Sequence, residues 1–241
     1  MSTDAILWLG VAMAVGAFVQ GTVGFGLAVV ASPFVIFTEP ALMPGSIIIA
    51  TFVVPIVELL VGPRDIAWRP LGWALIGRLA LTPVGVGIVA WLSPDLIGAL
   101  VGLLILTVVA LTIRRWRIAA TGRNALAAGA VTGVSATAGA IGGPFFALVL
   151  QHERPARIRS TLAVFFVVGV IVSLLGLWLG GTVTNLQVRV GLIWVPFVLA
   201  GFALSFPARR KLDQGMMRRG VLAFCAVAGA SVLIRTILVH L

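Results

Sequence analysis

Two short glycine-rich stretches interrupt otherwise apolar sequence, and their residues have the most to offer a ligand. Gln20-Gly21-Thr22-Val23-Gly24-Phe25-Gly26 stands inside the first apolar run, and Ser135-Ala136-Thr137-Ala138-Gly139-Ala140-Ile141-Gly142-Gly143 inside a later one. Glycine weakens a helix interior by about 1 kcal/mol relative to alanine, so a plain membrane-crossing helix has no use for such clusters. A helix broken at this point presents free N–H groups and the positive end of its dipole, which suits an anion. Glycine also lets the chain turn and lets a ligand approach the backbone closely. Gly21, Gly24, Phe25 and Gly26 therefore form one candidate tip, and Gly139, Gly142 and Gly143 the other. Gln20, Thr22, Ser135 and Thr137 border the breaks, where they can donate to an anion or satisfy backbone carbonyls that the break frees. Tight helix packing through small residues is the competing reading of the glycines.

Arg78 is the other candidate. It lies about seven residues into an apolar span, roughly 10 Å below the interface, and an arginine at that depth is a functional candidate by default. Its planar fork can hold a pair of anion oxygens; snorkelling back to the interface is the alternative. Glu58, one turn from the end of its span, reads either as a proton-coupling carboxylate or as a partner of Arg64 or another basic loop residue.

The elements that must position these residues are membrane helices. Of 241 residues, 61% are hydrophobic and 10% charged, with a mean hydropathy of +1.18; a soluble chain cannot hide so much apolar surface. The apolar runs are continuous and lack the alternation of a membrane barrel. The net charge of +10 comes from arginines gathered in short loops, where they set orientation in the bilayer and do not point to nucleic acid. Asp4 stands where a cleaved signal peptide has positive charge, so no such signal is expected. Cys225 is the only cysteine, which rules out a disulfide within the chain and makes it a packing residue. The histidines, His152 and His240, fall in a loop and at the terminus. No HExxH or Walker motif is present, so neither an enzyme, a metal site nor a cofactor is expected.

Charge then decides topology. Full spans read at about 43–62, 71–91, 95–113, 161–181, 190–206 and 221–238, which leaves 5–37 and 125–150. Counted as single crossings, these would put Arg114, Arg115, Arg117 and Arg123 on one face and Arg209, Arg210, Lys211, Arg218 and Arg219 on the other, against the positive-inside rule. Counted as hairpins, they bring the loops at 63–70, 114–124, 151–160 and 207–220 to one cytoplasmic face. At about 1.5 Å per residue these stretches give roughly 50 and 39 Å of helix. That falls short of two crossings of a roughly 30 Å core, so both hairpins should be re-entrant.

The chain thus reads as an all-α integral membrane protein forming one membrane domain. It has two inverted-topology repeats, each a glycine-broken re-entrant hairpin plus three transmembrane helices. Residues 1–113 form the first repeat, 114–124 a basic cytoplasmic linker and 125–241 the second repeat. Ordered matches support the duplication: Gly21 with Gly133, Pro33 with Pro144, Glu39-Pro40-Ala41 with Arg154-Pro155-Ala156, Trp73 with Trp194, and Ile113-Arg114 with Ile234-Arg235. Arg235 reads as an interfacial anchor. Inverted repeats with paired broken helices are the layout of secondary transporters, whose site lies where the breaks meet.

QGTVGFGLAVVASP in the first half and GVSATAGAIGGPFFALVL in the second resemble the paired motifs of the TauE/SafE family of small bacterial membrane proteins. The resemblance implies export of sulfite or an organosulfonate across the plasma membrane. The second motif departs from it, with Ala138, Ala140 and Ile141 where more glycine belongs. The expected partners are a small anionic substrate, the lipid bilayer, a coupling proton or ion, and a second copy of the chain in a homodimer. The alternatives are an anion channel and a membrane subunit that transports nothing alone.

Overall fold

The computed structural model describes residues 2–24, 26–114, 118–208 and 213–240, and every regular element among them is helical. Helix α1 (Thr3–Val23) starts on Ser2, whose Oγ accepts the Ala5 N–H at 3.3 Å, and Asp4 in its first turn suits the positive end of the dipole. After a break come α2 (Leu27–Thr38), a 3₁₀ turn at Pro40–Leu42, α3 (Gly45–Thr51) and α4 (Val53–Val61). Two long helices follow, α5 (Trp68–Trp91) and α6 (Pro94–Arg114). The second half runs through α7 (Gly122–Gly139), α8 (Gly143–Val149), α9 (Pro155–Leu179), α10 (Asn185–Ala208) and α11 (Gln214–His240).

Six of these are long and apolar enough to cross a membrane: α1, α5, α6, α9, α10 and the Gly215–Thr236 stretch of α11. The set differs from the sequence expectation in two places. The span expected over 43–62 is divided into α3 and α4, which meet at Phe52. Pro55 has no N–H to give the Thr51 carbonyl, and α3 ends on Thr51. The two interrupted stretches, expected as re-entrant hairpins, have unequal arms: α1 has 21 residues against 12 for α2, and α7 has 18 against 7 for α8. At 1.5 Å per residue α1 alone is about 31 Å long, enough for a bilayer core.

Two apolar cores organise the helices. The larger joins Met13 and Ala17 of α1, Val35 of α2, Ile47 of α3, Val101 and Ile105 of α6, Trp194 and Val198 of α10 and Cys225 of α11. The smaller joins Leu71 and Ala74 of α5, Ala125 of α7, Phe146 and Val149 of α8 and Phe165 of α9. Ile48 of α3 meets Val170 and Leu177 of α9 in a third patch.

Within each core one pair of helices packs closest, α1 on α10 and α5 on α7. Backbone-to-backbone approach explains several glycines. A Cβ on Gly129 would overlap the Ala74 carbonyl, one on Gly133 the Arg78 carbonyl, and one on Gly201 the Ala14 carbonyl.

Polar contacts tie distant segments across these packings. Trp194 donates from Nε1 to the Ile6 carbonyl at 3.0 Å, and Gln187 from Nε2 to the carbonyls of Ala41 at 2.8 Å and Met43 at 3.1 Å. The Ala67 N–H donates to Thr161 Oγ1 at 2.9 Å, and Ser160 Oγ to the Pro63 carbonyl. Arg235 is more than an anchor at the interface. Its Nη1 donates to the Ile36 carbonyl at 2.9 Å and its guanidinium lies 5.5 Å from the Phe37 ring, so it satisfies one of the carbonyls that the end of α2 leaves open.

Candidate functional site

A cavity of about 550 Å³ lies between the two cores, and both helix breaks open into it. From one side Gln20, Gly21, Thr22, Gly24, Gly26, Thr51 and Glu58 line it; from the other come Arg78, Ala140, Ile141, Gly142, Gly143 and the α9 residues Arg159, Phe166 and Ser173.

The helices that enter the two breaks both end in the left-handed region. Helix α1 ends on Gly24 in the left-handed region, φ 76° and ψ 19°, with its N–H bonded to the Gln20 carbonyl at 2.9 Å. Two residues later Gly26, at φ 103° and ψ 120°, begins α2. Helix α7 ends on Ala140 at φ 58° and ψ 11°, and two residues later Gly142 begins α8. The sequence matches Gly21 with Gly133; the caps pair Gly24 with Ala140 and Gly26 with Gly142.

The first N–H of α2 is not left open. Leu27 donates it to the side-chain carbonyl of Gln20 at 2.6 Å, so Gln20 acts here as an acceptor that caps the helix from within the cavity wall. Thr22 bonds back into α1, donating to the carbonyls of Phe18 at 2.8 Å and Val19 at 3.2 Å. At the second break Thr132 Oγ1 donates to the carbonyls of Ala128 at 2.7 Å and Gly142 at 3.3 Å. Of these contacts, the one from the Leu27 N–H to Gln20 serves a backbone group that a break frees, Thr22 bonds back within its own helix, and Thr132 ties α7 to the start of α8.

Arg78 does not snorkel. It is 1% exposed, with its guanidinium 4.7 Å from the centroid of the Phe165 ring and 5.7 Å from that of Phe166. Nη1 donates to the Phe165 carbonyl at a long 3.4 Å, and Nε is buried with no partner. Arg157 pairs with Asp65 and with Glu153, and no ion pair among the described residues involves Arg78. A buried charge without a counter-charge costs several kcal/mol. The arrangement is therefore suited to receiving an anion from the cavity.

Three candidates of the second motif lie elsewhere. Ser135, Thr137 and Gly139 are absent from the cavity wall. Thr137 Oγ1 lies 2.8 Å from Ser173 Oγ, Ser135 Oγ is buried without a partner, and Gly139 packs against Leu104 and Val101 of α6. The helix runs on to Gly139, so these side chains belong to its packed faces, not to the break. Gly21 reaches the cavity but also fits against Ser205 of α10, where a Cβ would overlap the hydroxyl. Phe25 lies outside the described residues, as do Arg115, Arg117, Arg209, Arg210 and Lys211 of the basic loops. Sequence reasoning overlooked Thr51, Phe166 and Ser173 on helices taken for plain spans. The signal available for α9 is the four-residue spacing of Phe165, Gly169 and Ser173, which puts them on one helix face.

Six helices long and apolar enough to cross a membrane, set around a cavity whose wall holds Arg78, mark a multi-pass membrane protein. Residues 8–232 match the family model described as sulfite exporter TauE/SafE. The chain belongs to that family, whose members are membrane transporters and not enzymes. No curated protein and no solved structure gave a significant match.

Proposed function

We propose that the chain is a secondary transporter that exports a small anion, sulfite or an organosulfonate, across the bacterial plasma membrane by alternating access around this cavity. Arg78 carries the reading: a cation held at membrane depth, with no ion-pair partner among the described residues, on the wall of a cavity that both helix breaks enter. Gln20, Gly21, Thr22, Gly24, Gly26, Gly142 and Gly143 complete the wall that the anion meets.

The inverted-repeat reading, 1–113 and 125–241 around the 114–124 linker, has support in the packing. Helix α1 of the first half packs on α10 of the second, and α7 of the second packs on α5 of the first. In the same exchanged way α3 packs on α10 and α9 on α5. Repeats exchanged like this put the site at their interface. With the basic loops facing the cytoplasm, the cavity extends toward that side, since Pro155, Ile158 and Arg159 at the start of α9 line it. The anion then enters from the cytoplasm and pairs with Arg78, and rocking of the two cores about the contact between Ile48 and Val170 opens the other side.

The test is flux of radiolabelled sulfite in liposomes, with countertransport. Arg78→Lys keeps the charge and loses the fork, and is expected to lower flux about tenfold or more; Arg78→Gln abolishes it. A lysine variant with normal flux at equal abundance removes Arg78 from the site. Flux that shows neither saturation nor countertransport replaces the carrier by a channel.

A further inference from the structure

We propose that Phe165 and Gly169 of α9 are positioning residues that form a slot for the Arg78 guanidinium. The inference rests on the reading of Arg78 as the anion-binding group. Gly169 stands one helical turn after Phe165, on the same face of α9. A Cβ at Gly169 would overlap Cζ, Nε and Nη1 of Arg78 together, so the cation occupies the volume that any other residue type would fill. Phe165 contributes twice: its ring lies under the guanidinium at 4.7 Å and its carbonyl accepts from Nη1. On its own helix Arg78 is held from the other side, because a Cβ at Gly133 of α7 would overlap the Arg78 carbonyl, and Thr82 Oγ1 donates to that same carbonyl at 2.7 Å.

The slot explains how a cation stays at this depth without an acidic partner. An aromatic face and a helix carbonyl stabilise the charge but do not neutralise it, and Nε remains without a partner. A carboxylate in the same place would pair with the arginine and compete with any incoming anion. The slot also joins α5 to α9, so the charge cannot swing away when the cavity is empty. Three stripes at four-residue spacing interlock around it: Ala74, Arg78 and Thr82 on α5, Gly129, Gly133 and Thr137 on α7, and Phe165, Gly169 and Ser173 on α9.

The experiment measures sulfite and 2-hydroxyethanesulfonate binding to purified full-length protein in detergent, per folded molecule, alongside thermal stability. Gly169→Ala evicts the guanidinium and is expected to raise Kd about tenfold or more, as Arg78→Gln does. Phe165→Leu keeps the carbonyl and removes the ring, and is expected to raise Kd by up to about tenfold. Stability supplies an arm that needs no ligand. Gly169→Ala should lower the melting temperature of the wild-type background, yet should be tolerated or stabilising in the Arg78→Gln background, where the new methyl meets no guanidinium. A Gly169→Ala protein that binds both anions like the wild type overturns the slot. So does the same loss of stability in both backgrounds, even if neither anion binds to any form. If Arg78→Gln binds normally, the anion-site reading fails while the stability arm still decides the slot.

Discussion

At the end of α1 the left-handed position belongs to Gly24, and nothing lies within 4 Å of where a Cβ would stand. At the end of α7 the equivalent position belongs to Ala140, a residue that pays a steric penalty in that conformation. The following positions reverse the contrast in crowding. Gly26 has φ 103° and only Val29 Cγ2 near, at 3.4 Å, whereas Gly142 has an ordinary φ of −138° and room for nothing. A Cβ on Gly142 would stand 2.7 Å from both Ala136 Cβ and Thr132 Cγ2. One break therefore uses glycine for backbone conformation and the other for packing. The left-handed helix end is common to both breaks, but the step into the second helix is not.

The largest effect expected from this difference is at Gly26. Its φ and ψ lie in territory that only glycine occupies comfortably, so Gly26→Ala should lower unfolding stability in detergent by about 2 kcal/mol. Open space does not help, because the strain is in the backbone. Anion binding should fall with it, since the tip must change shape. Unchanged stability in a denaturation experiment would mean that Gly26 does not hold this conformation.

At the second break the neighbouring glycines separate packing from ligand. Gly142→Ala forces its methyl against Ala136 and Thr132 and should cost about 1–2 kcal/mol, in the lower part of the overpacking range. Gly143→Ala meets only Phe166 Cζ, at an ordinary 3.8 Å, and gains helix propensity, so its stability should be equal or higher by up to about 1 kcal/mol. Because Gly143 lines the cavity, weaker sulfite binding in this variant reports the methyl inside the site. Equal stability losses in the two variants would erase the distinction.

Sequence patterns carried the helical class, the interrupted stretches at 5–37 and 125–150 and the place of Arg78 inside an apolar helix, because each follows from local composition. The burial of Arg78 did not, since it depends on Gly169, some ninety residues away, having no side chain. Ser135, Thr137 and Gly139 were grouped with the second tip by proximity to the glycine pair, but the break falls after them. A left-handed alanine is the reason: helix ends are usually sought at glycine, and Ala140 gives no such mark. The division of the 43–62 segment has its mark in Pro55, whose missing N–H leaves the Thr51 carbonyl without its helical partner.

A smaller loss is expected at Gln20. Gln20→Leu removes the oxygen that accepts the Leu27 N–H and should cost about 1 kcal/mol, the net worth of one such bond. Gln20→Glu keeps an acceptor there, so its stability should stay nearer the wild type. A carboxylate on the cavity wall should nevertheless weaken sulfite binding by repulsion. If both variants lose the same stability, the contact at 2.6 Å is not what begins α2.

The smallest effect has the opposite sign and tests the comparison most directly. Alanine in the left-handed region costs about 1 kcal/mol or somewhat more, and Ala140→Gly relieves it. Glycine also makes the unfolded chain more disordered, which offsets about 0.4–1 kcal/mol of that gain. The net change should be a stabilisation of at most about 0.5 kcal/mol, seen as a small rise in the denaturation midpoint. At the first break the reverse change, Gly24→Ala, creates the strain that Ala140 already bears and should destabilise by a similar or larger amount. Because Gly24 has open space around it, no packing term obscures the result. Opposite signs for the two substitutions are what equivalent left-handed caps require. A marked destabilisation by Ala140→Gly would show that α7 does not end on a strained residue, and that the two helix ends are not equivalent caps.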